Sequence, residues 1–356
     1  VWDIWYSPKL SDFLKEGRWF MDEIYPLDIT GTKRERQVIQ IEQTNNELGP
    51  YVDTEGLGSK FREFNWPLNF IDFETIGPVI PFFKGYKPYQ GLCFQFSHHI
   101  LHEDGRIEHK NEYLGMGQGE NPSFKFVEEL YKSLSQNSGS IFMYSTHENT
   151  YLNYMIKLLM KESPFEKEYT NELINFLKSI TVPSKDIIPK WVPGKRKMID
   201  MAVMVRSYYW HPLMKGSNSI KKVLPAIMQH SKFIQHKYSQ PIYGKGNLIN
   251  SLNFEDKSWV EFDKFGSVKD PYKTLPLFDQ FLSIDVKNID RVFESDSVAD
   301  GGAAMTAWAY MQFGHMTDKE RQVIANALKF YCELDTMAMV IIMEAWRDMV
   351  FNIKNP

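Results

Sequence analysis

The stretch LNFIDFET, residues 68–75, combines the apolar pattern of a β-strand with two acidic side chains. Successive residues of a strand point to opposite faces, so Asp72 and Glu74 lie on the same face. Two carboxylates side by side in apolar surroundings repel each other and are costly to ionise unless a cation or a hydrogen-bond donor compensates them. The pattern predicts a cation site, and a strand end whose acids face water is the alternative.

An acidic pair separated by one residue is a weak signal by itself, because most such pairs are solvated surface. The chain also contains such pairs at Glu261 with Asp263, Glu294 with Asp296, and Glu333 with Asp335. The pair at residues 72 and 74 differs from them in its apolar neighbours Phe70, Ile71 and Phe73. A buried acid is rare unless it is paired, and this makes a functional role a reasonable hypothesis.

The segments that follow predict a mixed sheet. GLCFQFSHHIL (91–101) and IEHKNEYLG (107–115) are two further strands, and the Asp-Gly dipeptide before the latter is typical of a hairpin, which gives an antiparallel meander. SIFMYS (140–145) predicts another strand and ENTYLNYMIKLLM (148–160) a helix. Strands alternating with helices after a meander indicate an α/β fold, with helices flanking the sheet.

The chain divides into a lead-in region of α/β character at residues 1–66 and a main domain at 67–356. Residues 229–298 lack long periodicity and predict an irregular insertion of unassigned role. A strongly periodic helix starts near Asp318 and continues through EAW at residues 344–346. The opening VWDIWYSPKL has the character of mid-protein sequence, so we expect an upstream region in a longer polypeptide.

The composition limits the function classes. A net charge of -4 argues against binding nucleic acid through a broad basic surface alone, although metal ions on carboxylates can also bind phosphate. Two cysteines, Cys93 and Cys332, provide neither a disulfide framework nor a zinc cluster. We expect a cytoplasmic protein with no membrane segment, because the most apolar stretch, residues 337–346, is too short to span a bilayer. The sequence does not indicate an oligomeric state.

Two further elements carry acids. On a helix, Tyr331 and Asp335 are four residues apart and share a face, although a tyrosine at the edge of the core beside a surface acid is the commoner meaning of that spacing. In YSTHEN, residues 144–149, a strand ends at residue 145 and a helix begins with His147, Glu148 and Asn149. An acid in a first helical turn ordinarily compensates the helix dipole, so only the combination of the three elements suggests a function.

That combination resembles the DEDD superfamily of DnaQ-like 3′→5′ exonucleases, in the subclass with tyrosine in the third motif. The resemblance is closer to an uncharacterised bacterial family of this type, in which the domain typically follows a RecB-like nuclease region. It rests on NFIDFETIGPVIPFFKGYKPYQGLCFQFSHH (69–99), THENTYLNYM (146–155), MIDMAVMVRSYYWHPLMKGSNSIKKVLPAI (198–227), DGGAAMTAWAYMQF (300–313) and FYCELDTMAMV (330–340). It implies an RNase H-like sheet and a fused or partner nuclease module upstream.

The resemblance also implies a catalytic site with two Mg²⁺ or Mn²⁺ ions, for which hard carboxylate oxygens are suitable ligands. The implied metal ligands are Asp72, Glu74, Glu148 and Asp335. Tyr331 orients the attacking water, while Asp200, His147 and Asn149 support the site. Glu148 departs from the family pattern, where aspartate is usual, and its longer side chain puts the geometry of the second ion in doubt.

The implied substrate is DNA or RNA, with a single-stranded end as the expected partner. Candidate substrate-binding residues are Phe73, Thr75, His211, Ser219 and Lys221. Two rival functions remain open: a nucleic-acid-binding scaffold of low activity, and a phosphoesterase acting on a small nucleotide or signalling molecule. Retention of all four acids and Tyr331 favours catalysis, and Glu148 weakens that preference slightly.

Overall fold

The computed structural model describes residues 1–7, 9–185, 187, 190–276 and 301–352. The strands are β1 (Tyr51–Val52), β2 (Leu68–Ile76), β3 (Leu92–Leu101), β4 (Ile107–Leu114), β5 (Ile141–Met143), β6 (Ile199–Asp200), β7 (Tyr209–Trp210), β8 (Tyr243–Gly244) and β9 (Ile249–Asn250). The α-helices are α1 (Leu10–Lys15), α2 (Arg34–Asn45), α3 (Thr54–Glu63), α4 (Ser123–Leu134), α5 (His147–Glu162), α6 (Lys167–Ile180), α7 (Met201–Tyr208), α8 (Ile220–His230), α9 (Lys232–Tyr238), α10 (Gly301–Phe313) and α11 (Asp318–Phe351).

The central sheet has seven strands in the order β6-β5-β2-β3-β4-β9-β8. The three long strands β2, β3 and β4 are antiparallel neighbours, and β5 and β6 run parallel to β2 on its other side. This arrangement confirms the predicted fold class, a mixed sheet that combines an antiparallel meander with parallel strands and is flanked by helices. Every residue of β3 is buried, as expected for a strand that lies between two neighbours and is covered on both faces.

One face of the sheet is covered by helices α4, α5 and α6. The apolar side chains of α4 recur at helical spacing, and Phe126 lies at the centre of an aromatic cluster. Its ring packs edge to face against Phe73 of β2 at 4.9 Å and against Phe96 of β3 at 5.4 Å between ring centroids. Aromatic pairs of this geometry contribute beyond the area that they bury, so the cluster fixes α4 on the first two strands of the meander.

The opposite face is covered by α11, a helix of 34 residues that begins with a capping box. The Thr317 hydroxyl accepts a hydrogen bond from the Glu320 backbone N–H at 3.2 Å, and the Glu320 carboxylate accepts one from the Thr317 N–H at 2.6 Å. From Tyr331 to Trp346 every side chain of the helix is buried. The middle of α11 therefore lies inside the protein, against β2 and β3.

The lead-in region at residues 1–66 has a small apolar cluster of its own, and it is joined to the main domain by β1, which pairs with β7. Arg36 on α2 donates a hydrogen bond to the Tyr209 carbonyl at 2.6 Å. The boundary near residue 66 stays a prediction. Among the described residues, no helix is both long and apolar enough to cross a membrane.

The predicted insertion at 229–298 is more regular than expected over its described part. It begins in the last turn of α8 and contains α9, β8 and β9, and β9 pairs in parallel with β4 to extend the sheet. Strands of two residues are too short to produce an alternating sequence pattern, which is why periodicity did not indicate them. Residues 277–300, including Glu294 and Asp296, lie outside the described residues.

We expect Phe126→Ala to lower the free energy of unfolding by about 3–5 kcal/mol, because it removes a buried ring that contacts two strands. Phe265→Ala is the matched control, since the Phe265 side chain is 80% exposed. Urea titration followed by circular dichroism measures both variants. Equal destabilisation by the two substitutions would contradict the assignment of Phe126 to the core.

Candidate metal centre

Three carboxylates that are far apart in the sequence meet where α11 crosses β2. Asp72, Glu74 and Asp335 each bring one oxygen into a group whose members all lie within 4.8 Å of one another. Glu74 and Asp335 are buried and Asp72 is partly exposed. The alternation of β2 directs Asp72 and Glu74 to the face that α11 covers, and the helix supplies the third acid from its buried middle.

Glu148 provides a fourth buried acid beside this group. It lies in the first turn of α5, directly after the loop that follows β5. One of its carboxylate oxygens, Oε2, is buried without a hydrogen-bond partner within the described part of the chain. A buried polar atom in this state is costly unless something outside the protein satisfies it, and a cation is the natural partner of a carboxylate oxygen.

Burial raises the pKa values of Asp72, Glu148 and Asp335, and neighbouring carboxylates add to the effect at Asp72 and Glu148. Burial, followed by the charges of Asp335, Glu148 and Glu74, raises the pKa of Asp72 well above its usual value. Burial also raises the pKa of Glu148 to about 8 and that of Asp335 to about 6. Crowded carboxylates of this kind favour proton uptake or a bound cation. The donor set consists of hard oxygens, which fits Mg²⁺ or Mn²⁺.

A tyrosine from the predicted insertion also contacts the centre. The Tyr272 hydroxyl donates a hydrogen bond to Oδ1 of Asp335 at 2.5 Å. Tyr272 follows Pro271 in a short 3₁₀ helix whose N-cap is Asp270, and neither spacing nor periodicity linked it to the acids. The bond restricts the rotation of the Asp335 side chain, as outer hydrogen bonds of metal ligands do.

Tyr331 and Lys221 lie together beside Asp335. Tyr331 is one helical turn before Asp335 on α11, as the sequence predicted. The Lys221 ammonium lies 5.0 Å from the Tyr331 ring centroid and 5.3 Å from that of Tyr272. Burial, followed by the negative charges of Asp335, Glu74 and Asp72, raises the pKa of Tyr331 far above its ordinary value, so its phenol keeps its proton.

Sequence reasoning gave Cys332 no role, although it contacts the same centre. The buried thiol of Cys332 lies 3.8 Å from Oδ2 of Asp72 and 3.6 Å from the Asp72 carbonyl oxygen. Burial and the charge of Asp72 raise the pKa of Cys332 well above its usual value, so the sulfur stays a neutral thiol. It acts here as a weak donor to the first acid of β2.

The predicted supporting residues divide into two kinds. His147 forms a hydrogen bond of 2.9 Å between its Nε2 and the Thr75 hydroxyl, next to Glu74. Asp200 instead caps α7: its Oδ1 accepts from the Ala202 N–H and from the Ser145 N–H, both at 2.8 Å. Because Asp200 also adds negative charge near Glu148, its supporting role is structural and electrostatic.

Asn149 has a purely structural environment. Its amide donates to the Val182 carbonyl at 3.0 Å, and its oxygen accepts from the Val182 N–H at 2.8 Å. This pair of bonds ties the segment after α6 to the start of α5. Asn149 therefore holds the helix that carries Glu148 and does not itself face the acids through these groups.

The candidate substrate-binding residues are scattered. Lys221 lies at the centre, and Thr75 binds His147. Phe73 was predicted to bind substrate, but its ring is only 4% exposed and packs against Phe126. It therefore belongs to the core and cannot stack on a base. His211 accepts a hydrogen bond from the Leu213 N–H at 3.1 Å, and Ser219 is an exposed residue before α8.

A second buried polar cluster lies behind the centre, and it contains Glu333, which the sequence pattern grouped with solvated acids. His99, His109 and Glu333 have ligand atoms within 4.8 Å of one another. Both ring nitrogens of His99 are already hydrogen-bonded, to the Thr336 hydroxyl at 2.8 Å and to the Tyr243 hydroxyl at 2.9 Å. The His99 ring also stacks on that of His109, with 4.6 Å between centroids and 10° between planes. Ser251 and Asn253 donate to Glu333 at 2.5 and 2.7 Å, and the cluster is a hydrogen-bonded core network.

Comparison with known proteins gives a family match. Residues 69–219 match the family profile described as a domain of unknown function, DUF2779. The matched stretch includes Asp72, Glu74 and Glu148, and it ends before Tyr272, Tyr331 and Asp335. Neither the curated proteins nor the solved structures gave a match.

We expect the metal-free protein to lose stability as the pH rises from about 5 to about 8. The folded-state pKa values of Glu148 and Asp335 are raised to about 8 and about 6, so the folded protein binds more protons than the unfolded chain in this window. Thermal unfolding in EDTA should therefore show a falling Tm, and excess Mg²⁺ should raise the Tm most at the upper end of the window.

Glu148→Gln should remove part of this pH dependence and raise the Tm in EDTA at pH 8 by about 2 °C or more. Glu255→Gln is the matched control, because the Glu255 side chain is exposed beside Lys245. A Glu148→Gln protein with the same pH profile as the control would contradict the electrostatic strain inferred for the centre.

Proposed function

We propose that this protein is a metal-dependent 3′→5′ exonuclease that hydrolyses the phosphodiester bonds of DNA or RNA. The observation that carries the proposal is the convergence of Asp72, Glu74 and Asp335 within 4.8 Å, with Glu148 buried beside them. The polarity follows from the resemblance to DnaQ-like exonucleases. The five strands β4-β3-β2-β5-β6 have β2 at their centre, which is the strand order of an RNase H-like sheet. This order supports the proposed relationship to DnaQ-like exonucleases.

The residues of this chain fit two Mg²⁺ or Mn²⁺ ions. Asp72, Glu74, Glu148 and Asp335 offer carboxylate oxygens and no competing soft ligand except the protonated thiol of Cys332. When bound, the ions supply an activated water and stabilise charge on the phosphate oxygens. The unpartnered Oε2 of Glu148 supports a ligand role for this glutamate in place of the more usual aspartate.

The remaining groups orient the reactants. Because its phenol stays protonated, Tyr331 binds and aligns the attacking water by hydrogen bonding and does not act as a base. The water oxygen bonds to the scissile phosphorus while the bond from that phosphorus to the 3′ oxygen of the preceding nucleotide breaks. The attacking water gives up a proton to solvent, the leaving 3′ oxygen takes one up, and a nucleoside 5′-monophosphate is released. Lys221 brings a positive charge next to Asp335, where the phosphate is expected, and Tyr272 keeps the Asp335 carboxylate in one orientation.

Purified protein should shorten 5′-labelled single-stranded DNA or RNA from the 3′ end in Mn²⁺ and produce a ladder on a denaturing gel. Asp72→Ala should abolish the ladder, because it removes the acid whose pKa is raised by the charges of all three other acids and which therefore lies between them. Asp263→Asn is the control, since Asp263 belongs to an exposed acidic pair in a turn. Internal cuts, or tight binding without cuts, would overturn the exonuclease proposal and favour an endonuclease or a scaffold.

The two tyrosines at Asp335 should affect different parameters. Tyr331→Phe should lower kcat by about 10²-fold or more and leave the Kd for Mn²⁺ unchanged, because it removes only the group that aligns the water. Tyr272→Phe should weaken Mn²⁺ binding by about 10- to 100-fold, because it frees the Asp335 side chain to rotate.

Calorimetric titration with Mn²⁺ and initial rates at saturating Mn²⁺ measure the two effects separately. The Tyr272→Phe protein should recover most of its activity at high Mn²⁺, whereas the Tyr331→Phe protein should not. The reverse pattern would exchange the roles assigned to the two residues.

A further inference from the structure

A basic cleft lies beside the end of β2, outside the carboxylate centre. It is formed by the loop at residues 85–91 and by the outer face of α5, and its volume is about 380 Å³. Three lysines and two tyrosines line it, which are Lys87, Lys157, Lys161, Tyr89 and Tyr154. We refer to these five residues as the basic cleft.

The charge of the basic cleft is opposite to that of the protein. The chain has a net charge of -4, but the side chains that line the cleft include three cations and no carboxylate. Lys161 has an ion pair of 3.3 Å with Glu162, and the Lys157 ammonium lies 5.9 Å from the Tyr154 ring centroid. The cleft therefore concentrates positive charge at one place on an acidic protein, which favours an anionic ligand.

Both tyrosines of the cleft are accessible to solvent. Tyr89 is 71% exposed and Tyr154 is 43% exposed. Aromatic rings next to lysines are the combination that binds single-stranded nucleic acid, because bases stack on the rings while the cations contact phosphates. A small anion alone would need the lysines and not the exposed rings.

The loop that forms one wall of the cleft is held in a defined conformation. The Tyr89 backbone has a φ of +61°, and its N–H donates to the Pro78 carbonyl at 2.9 Å. The Gln90 side chain accepts from the Lys87 N–H at 3.1 Å. At Gly91 a Cβ atom would lie 2.6 Å from the Tyr151 ring, so the loop packs tightly on α5. The cleft is thus built before any ligand binds.

A continuous row of contacts joins the cleft to the carboxylate centre. Thr75, the neighbour of Glu74, bonds to His147 at 2.9 Å. The His147 ring lies 4.6 Å from that of Tyr151, which lies 5.6 Å from that of Tyr154, measured between centroids. The connection from β2 to β3 begins after Ile76 and includes the loop at residues 85–91. Because α5 carries Glu148 in its first turn and the cleft lysines further along, a strand whose end lies at the carboxylates can continue along this helix into the cleft.

From these observations we infer that the basic cleft binds a nucleotide of single-stranded nucleic acid that lies 5′ of the terminal nucleotide at the carboxylates. This inference rests on the proposed nuclease function. The lysines contact the phosphates of the strand, and Tyr89 and Tyr154 stack with its bases. A cleft of this size admits one nucleotide and excludes a duplex, so it selects for an unpaired strand.

Fluorescence anisotropy tests the inference with the full chain in EDTA, which keeps the strand intact. The probes are a labelled trinucleotide and a labelled oligonucleotide of about 15 nucleotides. Lys87→Ala with Lys157→Ala should reduce the slope of log K against log salt by about 0.7 for each lysine, and only for the longer probe. Tyr154→Ala should weaken binding of the longer probe by about 5- to 100-fold.

Lys264→Ala with Phe265→Ala is the matched control, because this exposed pair also joins a lysine to an aromatic ring, at 4.9 Å. Unchanged binding in the control and an unchanged Tm in all variants support a specific effect of the cleft. Wild-type affinity and salt slope in the cleft variants would overturn the inference. The inference would also be overturned if inorganic polyphosphate competed with the longer probe as well as an unlabelled oligonucleotide does and Tyr154→Ala had no effect. The cleft would then be a site for anions in general.

The two proposals fail in different ways. If the cleft variants degrade strands as the wild type does, the proposed function holds and the inference about the cleft is contradicted. A protein that binds the longer probe through the cleft but cuts no strand in Mn²⁺ loses the proposed function, while the assignment of the cleft to single-stranded nucleic acid holds.

Discussion

The packing of α11 across β2 is the contact on which the rest of the molecule depends. It buries the middle of a 34-residue helix against the strand that carries the first two acids, and it brings Asp335 to Asp72 and Glu74. The same contact makes the centre electrostatically strained, because burial raises the pKa values of Asp72 and Asp335, and the neighbouring acids raise that of Asp72 further. Apolar packing around the acids offsets this repulsion, so the hydrophobic core maintains a polar centre that would otherwise separate.

The sequence predicted the parts of the fold that are long enough to show a period. The strands β2, β3 and β4 have eight or more residues each, and α11 has almost ten turns, so alternation and helical spacing were visible. The strands β6, β8 and β9 have two residues each and were invisible for that reason. They form by pairing in the assembled sheet, β6 with β5, β9 with β4 and β8 with β9, and this pairing is not a property of their own short sequences.

The residues of the candidate site also divide into those that the sequence predicted and those that it did not. The order of the acids along the chain led to Asp72, Glu74 and Asp335, and the structure brings their oxygens together. Phe73 was wrongly assigned to substrate, although strand alternation already directs it away from the face of Asp72 and Glu74. Tyr272 carried no signal, because its hydrogen bond to Asp335 spans 63 positions and arises only when the segment after α9 folds over α11.

The position of Tyr272 has a consequence for how the domain can be divided. The stretch that matches DUF2779, residues 69–219, ends before the second wall of the carboxylate centre, since α11 and the Tyr272 segment both follow it. A fragment with those limits would lack Asp335 and Tyr272 and would leave the face of β3 that α11 covers open to water. The smallest unit that brings Asp72, Glu74 and Asp335 together is therefore longer than the matched stretch, because it must include α11.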